Sequence, residues 1–384
     1  MRTDTERKTY FAKADYRGKE QVFGIKAEDR SKHVYVIGKT GMGKSVLLEN
    51  MAAQDIQNGN GLAFIDPHGE AAAILLDYVP EERIQDVIHF APFDVDYPIS
   101  FNVMEDVGYE KRHLVVSGLI STFKKIWPDV WSSRMEYILA NTLFALLEYP
   151  DSTLLDVNRM LVNKEFRKDV VNHITDPVIK SFWVDEFAKY TDRYTQEATP
   201  AIQNKIGQFV SNPLIRNIIG QPKSSFNFRD AMDSKKILIM NLSKGRIGDT
   251  NAKLIGSMLI IKIYLAGMSR ADTTARELQK LPPFYFFIDE FQSFANETFA
   301  DILSESRKYK LSLTIAHQYV GQMPDEVREA VFGNAGTIIS FRIGAEDAEL
   351  LEKEFSPTFT AEDMVSLGRY QIYLKLMIDG LASK

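Results

Sequence analysis

The segment from Gly38 to Ser45 reads GKTGMGKS and combines residue types that bind phosphate. Glycines let the backbone turn its N–H groups toward phosphate oxygens, and a following helix presents its positive end to the same anion. In this pattern Lys44 reaches the β- and γ-phosphates and the Ser45 hydroxyl ligates Mg²⁺. A chance Gly-rich turn is the alternative, but a predicted strand before and helix after favour a site for ATP and Mg²⁺. The predicted nucleotide-binding residues are Gly38, Lys39, Thr40, Gly41, Met42, Gly43, Lys44, Ser45 and Val46.

A second element, FYFFIDE, supplies the acids that a phosphate-binding loop needs for hydrolysis. It predicts a strand ending at Asp289 and Glu290, and α/β sheets build their sites at the carboxyl ends of strands. We expect Asp289 to hold Mg²⁺ together with Ser45, and Glu290 to orient or deprotonate the attacking water. The alternative is an ordinary exposed acidic strand end.

A third element is the apolar run LSLTIAHQ, which ends in Gln318. An amide at a strand tip can donate to a phosphate and accept from water, so it suits a γ-phosphate sensor; alternatively it caps the next turn. Arg307 precedes this strand on a predicted helix. It could stabilise transition-state charge in a neighbouring subunit, although a lone Arg on a charged helix face is more often solvated.

Three further polar residues follow predicted strands. Asp66 ends the second core strand and could approach the same phosphates, or form a turn before Pro67. Lys244 and Arg246 follow a later strand and could contact a nucleic-acid backbone; surface charge is the alternative.

The elements that would position these residues alternate between strand and helix. Strands predicted at His33 to Ile37, Leu62 to Ile65 and Asp86 to Phe90, with helices between them, indicate a parallel sheet with right-handed crossovers. From residue 107 to 227 the apolar residues recur at helical spacing, and we find no convincing strand. We predict an α/β fold with a mainly parallel twisted sheet, divided into residues 1–106, an all-α insertion over 107–227, and a second core part over 228–384.

The composition excludes several functional classes. The 384 residues contain no cysteine, so disulfides, thiolate metal sites and Cys nucleophiles are ruled out. The formal net charge of −6 means that any nucleic-acid contact requires a local basic surface. The most apolar long window, Leu254 to Gly267, is interrupted by Lys262, and we expect no membrane span.

Together these motifs resemble the HerA–FtsK superfamily of ring ATPases, and most closely the nucleotide-binding part of type IV secretion coupling proteins of bacterial conjugation. The resemblance covers nearly the whole chain and implies a RecA-like P-loop core that carries an all-α insertion. The segments that carry it are GKTGMGKS, IDPHGE, FFIDEF, SRKYKLSLTIAHQ and SFRIGAEDA.

The resemblance implies roles at matching positions. It makes Lys44 and Ser45 the Walker A pair, Asp289 and Glu290 the Walker B pair, and Gln318 the sensor. Two more matching positions are Arg307, as the arginine finger, and Asp66, as an acid near the γ-phosphate.

At the level of the whole protein, the resemblance implies a cytoplasmic homo-hexamer, peripheral to a membrane complex, that moves DNA or a protein–DNA complex and meets secretion or relaxase-type partners. Two alternatives stay open. One is a secretion or pilus-assembly ATPase that does not grip DNA, and the other is a nucleotide-gated scaffold that does not hydrolyse.

Overall fold

The computed structural model describes residues 7–16, 19–105, 107–191 and 199–383. Its main feature is a nine-stranded sheet in the order β11-β10-β9-β3-β8-β7-β4-β6-β5. The seven strands from β9 to β5 run parallel, whereas β10 and β11 are antiparallel additions at one edge. A separate antiparallel hairpin joins β1 and β2. The strands are β1 Lys8–Tyr16, β2 Lys19–Lys26, β3 Val34–Ile37, β4 Gly61–Asp66, β5 Val87–Phe90, β6 Ile237–Asn241, β7 Phe284–Ile288, β8 Leu311–His317, β9 Thr337–Ser340, β10 Tyr373–Ile378 and β11 Leu381–Ser383.

Helices connect the parallel strands and also fill the region between β5 and β6. Within the described part of residues 107–227, every regular element is helical. The α-helices are Ala27–Arg30, Lys44–Gln57, Glu70–Asp77, Arg112–Ile126, Ser133–Glu148, Asp156–Val162, Lys164–His173, Pro177–Ser181, Pro200–Ser211, Pro213–Ile219, Phe228–Asp233, Lys244–Ile247, Asp249–Met268, Ala275–Lys280, Thr298–Glu305, Asp325–Asn334, Ala345–Phe355 and Ala361–Ser366.

The central strands are apolar along their whole length. Every residue of β3, β4, β7, β8 and β9 is buried, as expected for parallel strands covered on both faces. This burial explains why the sequences of these strands are continuous apolar runs and do not alternate between apolar and polar residues. The prediction of an α/β fold with a mainly parallel sheet is confirmed.

The chain separates into two compact units. The first comprises residues 1–90, 228–243 and 266–384, and the second comprises 91–227 and 244–265. The second unit thus includes a segment that the sequence analysis assigned to the later core part. The predicted boundary residue 106 lies outside the described residues, and the three-part division remains a prediction.

The apolar window Leu254 to Gly267 lies within the 20-residue helix Asp249–Met268. By the length and composition of its most apolar 18-residue window, the segment Asp249–Asp272, which joins this helix to the 3₁₀ turn after it, could cross a membrane. However, 83% of that window is buried within the protein. Such burial is typical of a core helix.

A buried histidine joins β3 to the segment that precedes β8. His33 is 1% exposed, its Nε2 lies 3.1 Å from the Leu303 carbonyl oxygen, and its Nδ1 lies 3.1 Å from the Leu313 amide nitrogen. The Leu313 amide can only donate, so Nδ1 accepts and Nε2 donates to Leu303, which is the neutral tautomer. Burial lowers the pKa of His33 from 6.5 to about 4, and the charge of Arg307 acts in the same direction.

This histidine predicts a pH dependence of stability. Because the pKa of His33 is lower in the folded than in the unfolded state, its contribution is complete above about pH 6.5 and is lost as the pH falls toward 4. We expect the free energy of unfolding to fall by roughly 2 kcal/mol between pH 7 and pH 5 from this group. Urea unfolding at both pH values should show a smaller pH effect in His33→Gln than in the wild type. His173→Gln, at a histidine whose side chain is 47% exposed, is the control. Identical pH dependence in wild type and His33→Gln contradicts the assignment.

Candidate nucleotide-hydrolysis site

The strand order brings the predicted site residues together at the carboxyl ends of neighbouring strands. The phosphate-binding loop follows β3, Gln318 follows β8, Asp289 and Glu290 follow β7, and Asp66 ends β4. Because β3, β8, β7 and β4 are consecutive neighbours and run parallel, their carboxyl ends lie side by side. Residues far apart in sequence therefore form one cluster.

Two glycines give the phosphate-binding loop its shape. Gly41 and Gly43 have φ angles of 75° and 112°, a region that L side chains rarely adopt. Gly43 directly precedes the helix Lys44–Gln57. The Lys44 ammonium donates to the carbonyl oxygens of Gly38 at 2.6 Å and Lys39 at 3.3 Å. Burial lowers the pKa of Lys44, while the charges of Glu290 and Asp289 act in the opposite direction.

The predicted metal ligands contact each other. Ser45 Oγ donates to Asp289 Oδ2 at 2.7 Å. Asp289 is 2% exposed, and burial raises the pKa of its carboxyl although the hydrogen bond from Ser45 lowers it. Two oxygen ligands, one of them an acid, suit Mg²⁺, which prefers oxygen and usually retains several waters. The residues present therefore fit the metal.

Glu290 and Gln318 form a hydrogen-bonded pair beside the loop. The Gln318 amide donates to Glu290 Oε1, and its own Oε1 accepts from Thr40 Oγ1 at 3.1 Å. Gln292 donates to the other carboxylate oxygen, and His68 Nε2 lies 3.9 Å from Oε1. Burial alone would raise the pKa of Glu290, but His68, the hydrogen bond from Gln318 and the charge of Lys44 lower it to about 2. Gln318 thus links the loop to the acidic residue, as a sensor would require.

Asp66 has structural partners for both carboxylate oxygens. Oδ1 accepts from the His68 amide at 2.8 Å and Oδ2 accepts from the Ala72 amide at 2.9 Å. The side chain therefore holds the turn after β4 and the start of the next helix. It also lies within electrostatic reach of Asp289, whose pKa it raises. The turn-forming alternative accounts for its hydrogen bonds, and a role near the γ-phosphate remains a prediction.

Arg307 lies away from this cluster. It sits in the 3₁₀ turn Ser306–Tyr309, just before β8 begins, and its side chain is exposed. The seven residues of β8 span roughly 20 Å, and Arg307 lies before one end of the strand whereas Gln318 follows the other. Arg307 therefore lies at the amino-terminal ends of the parallel strands, opposite the cluster, and does not complete the site of its own subunit.

Two residues that touch the phosphate-binding loop are not marked by any of the sequence motifs. Arg369 Nε lies 3.3 Å from the Gly41 carbonyl oxygen, and the Tyr370 ring packs against Gly43. The residue pattern from Arg369 to Met377 predicts a strand, but β10 begins only at Tyr373. No local motif marks these residues, because their contact with the loop spans more than 300 positions.

Chemically, the cluster combines the groups that nucleotide hydrolysis uses. The loop and Lys44 can bind phosphates, Ser45 and Asp289 would hold Mg²⁺, and the ionised Glu290 can orient water. Magnesium bound there would neutralise charge that develops on the phosphate oxygens. Because Gln318 and Gln292 hold the Glu290 carboxylate, its position is defined before substrate arrives.

Comparison with solved structures places the fold. The bacterial conjugative coupling protein TrwB in its unbound monoclinic form matches with a TM-score of 0.66 and 14% identity, covering 97% of this chain and 86% of that chain. TrwB in complex with ADP and Mg²⁺ matches with a TM-score of 0.65 and 14% identity, covering 92% and 84%. VirB4 of Thermoanaerobacter pseudethanolicus matches with a TM-score of 0.62 and 13% identity, covering 94% and 91%. These likenesses confirm the RecA-type P-loop fold.

Sequence comparison identifies the family. No curated protein matches the chain significantly. A family model described as type IV secretory system conjugative DNA transfer matches residues 2–364, which is most of the chain. The chain therefore belongs to the family of type IV secretory system proteins for conjugative DNA transfer.

Proposed function

We propose that this protein is an ATP-hydrolysing ring motor that moves DNA, or a protein–DNA complex, for conjugative transfer. The observation that carries the proposal is the contact of Ser45 with Asp289 beside the Gln318–Glu290 pair. This arrangement holds the metal ligands and the water-orienting acid around one phosphate-binding loop. Membership of the DNA-transfer family supports DNA as the cargo. The structurally similar TrwB was solved in complex with ADP and Mg²⁺, which supports ATP and Mg²⁺ as the cofactors.

In this proposal the subunits form a homo-hexamer, and the position of Arg307 supports contacts between neighbouring subunits. Arg307 is exposed and lies at the ends of the strands opposite its own site, so it can reach the site of the next subunit. Head-to-tail contacts of this kind generate rings when the rotation closes. Each site would then be built by two subunits. The protein would lie in the cytoplasm, against a membrane-embedded secretion complex. Relaxase-type partners would deliver the DNA.

Cargo handling belongs to the second compact unit in this proposal. All predicted catalytic, nucleotide-binding and metal-binding residues lie in the first unit, whereas Lys244 and Arg246 lie in the second. Lys244 forms an ion pair with Asp249 at 3.4 Å. The Arg246 guanidinium lies 3.5 Å from the centre of the Phe93 ring, and Arg246 remains exposed. Exposed arginine side chains commonly contribute electrostatic and cation–π contacts to single-stranded nucleic acids.

Steady-state ATP hydrolysis with and without DNA tests the proposal. We expect magnesium-dependent turnover that rises on addition of single- or double-stranded DNA, and that rises per subunit as protein concentration drives assembly. Lys44→Ala protein prepared in the same way controls for contaminating ATPases. Turnover unaffected by DNA favours the secretion or pilus-assembly alternative, and the absence of turnover in assembled protein favours the non-hydrolysing scaffold.

A further inference from the structure

Residues 369 and 370 lie on the phosphate-binding loop, on the side away from the catalytic acids. We propose that Tyr370, held in place by Arg369, binds the nucleoside part of the nucleotide by stacking its ring on the base. The inference rests on the proposed ATPase function and adds to it a subsite for the purine base.

Direct contacts tie this segment to the loop. Arg369 Nε lies 3.3 Å from the Gly41 carbonyl oxygen, and its guanidinium lies 4.8 Å from the centre of the Tyr370 ring. A Cβ built on Gly43 would lie 3.0 Å from Cδ1 of Tyr370. The ring therefore covers Gly43 at the point where the loop enters its helix, and a larger residue at position 43 would displace it.

The backbone of this segment is constrained. Tyr370 has a φ angle of 65°, which an aromatic residue rarely adopts and which persists only where the surroundings impose it. Gln371 Oε1 accepts from the Gly368 amide at 2.8 Å, closing the turn around Arg369 and Tyr370. The strained turn presents the ring at a defined place on the loop.

The ring is nevertheless largely exposed. Tyr370 is 63% exposed, and the other exposed apolar side chain at the start of the helix is Val46, at 62%. Two apolar groups next to a phosphate-binding loop contribute little to binding phosphate itself. They suit the flat face of a base, on which an aromatic ring stacks regardless of sequence.

The sheet order indicates which end of the nucleotide lies on this side. β3 stands between β8 and β9. The Gln318–Glu290 pair follows β8 and β7, so the γ-phosphate belongs on that side. Gly43 is bordered on the other side by Phe341, which follows β9, as well as by Tyr370. A nucleotide with its terminal phosphate at Glu290 would extend its nucleoside toward Tyr370.

Comparing ADP with inorganic pyrophosphate isolates the nucleoside contribution, because pyrophosphate occupies only the phosphate loop. Affinities would be measured in the presence of Mg²⁺ by calorimetry for ADP and by competition against ADP for pyrophosphate. We expect Tyr370→Ala to weaken ADP binding roughly tenfold, as for loss of one stacking contact, and to change pyrophosphate binding less than about twofold. Tyr370→Phe, which keeps the ring, should bind ADP like the wild type.

Tyr78→Ala serves as the matched control, since Tyr78 is also exposed, at 47%, and follows a helix of the same unit. Equal weakening of ADP and pyrophosphate in Tyr370→Ala would show that the ring only shapes the loop, and overturns the inference. Unchanged ADP affinity in Tyr370→Ala also overturns it. Wild-type protein that binds neither ligand would instead refute the nucleotide site on which the inference rests.

Discussion

Replacing Glu290 with glutamine is expected to lower ATP turnover by roughly 10²- to 10⁴-fold while nucleotide binding is retained. Glutamine keeps the size of the side chain and an oxygen that can accept from Gln318, so the local structure should persist. It removes the negative charge that orients water and accepts its proton. Turnover and ADP affinity should be measured on the same preparation.

Two further variants define what this result means. Lys44→Ala should lose both binding and turnover, because Lys44 is the buried cation at the base of the loop. Glu82→Gln removes an exposed carboxylate from the same unit and should behave as the wild type. Turnover of Glu290→Gln close to that of Glu82→Gln would show that another group orients the water.

Replacing Arg307 with alanine should reduce turnover of the assembled protein by about 10³-fold or more, the effect of an arginine finger where one operates. The structure argues against a catalytic role of Arg307 at the nucleotide site of its own subunit, since Arg307 and Gln318 lie at opposite ends of β8. A solvated charge at this position would give almost no effect. Lys308→Ala, in the same exposed turn, is the matched control.

Mixed assemblies separate action between subunits from misfolding. Arg307→Ala subunits keep an intact phosphate-binding loop, whereas Lys44→Ala subunits keep Arg307. When the two inactive proteins are combined, a neighbour's Arg307 can complete the site of an Arg307→Ala subunit and restore part of the turnover. If verified mixed assemblies stay inactive, or if Arg307→Ala alone is fully active, Arg307 is not a finger acting in trans.

Much of the site was predictable because its functional residues lie in short motifs of contiguous sequence. The phosphate-binding loop and the acidic strand end combine residue types at fixed spacing, and the flanking apolar runs place each at the carboxyl end of a strand. Parallel strands with all residues buried read as continuous apolar segments, so β3, β7 and β8 were recognised with bounds close to those observed.

What could not be predicted depends on contacts between distant residues. The strand order decides which strand ends meet, and no local pattern encodes that β3 lies between β8 and β9. The antiparallel β11 at the edge is too short to give a periodic signal. Arg369 and Tyr370 read as the start of a strand, because propensity alone does not reveal a left-handed turn held against the loop.

The left-handed backbone at His33, Glu290 and Tyr370 has a consequence for engineering. Their φ angles are 64°, 49° and 65°, and each costs about 1–2 kcal/mol relative to a residue without a Cβ. Glycine would relax the chain at all three positions, so a search for thermostable variants guided by backbone preference would choose it there. At Glu290 and Tyr370 the same change deletes the side chain that the proposed chemistry needs. Stability and activity are therefore opposed at these two positions, and a heat-resistant form of this protein has to be sought elsewhere in the chain.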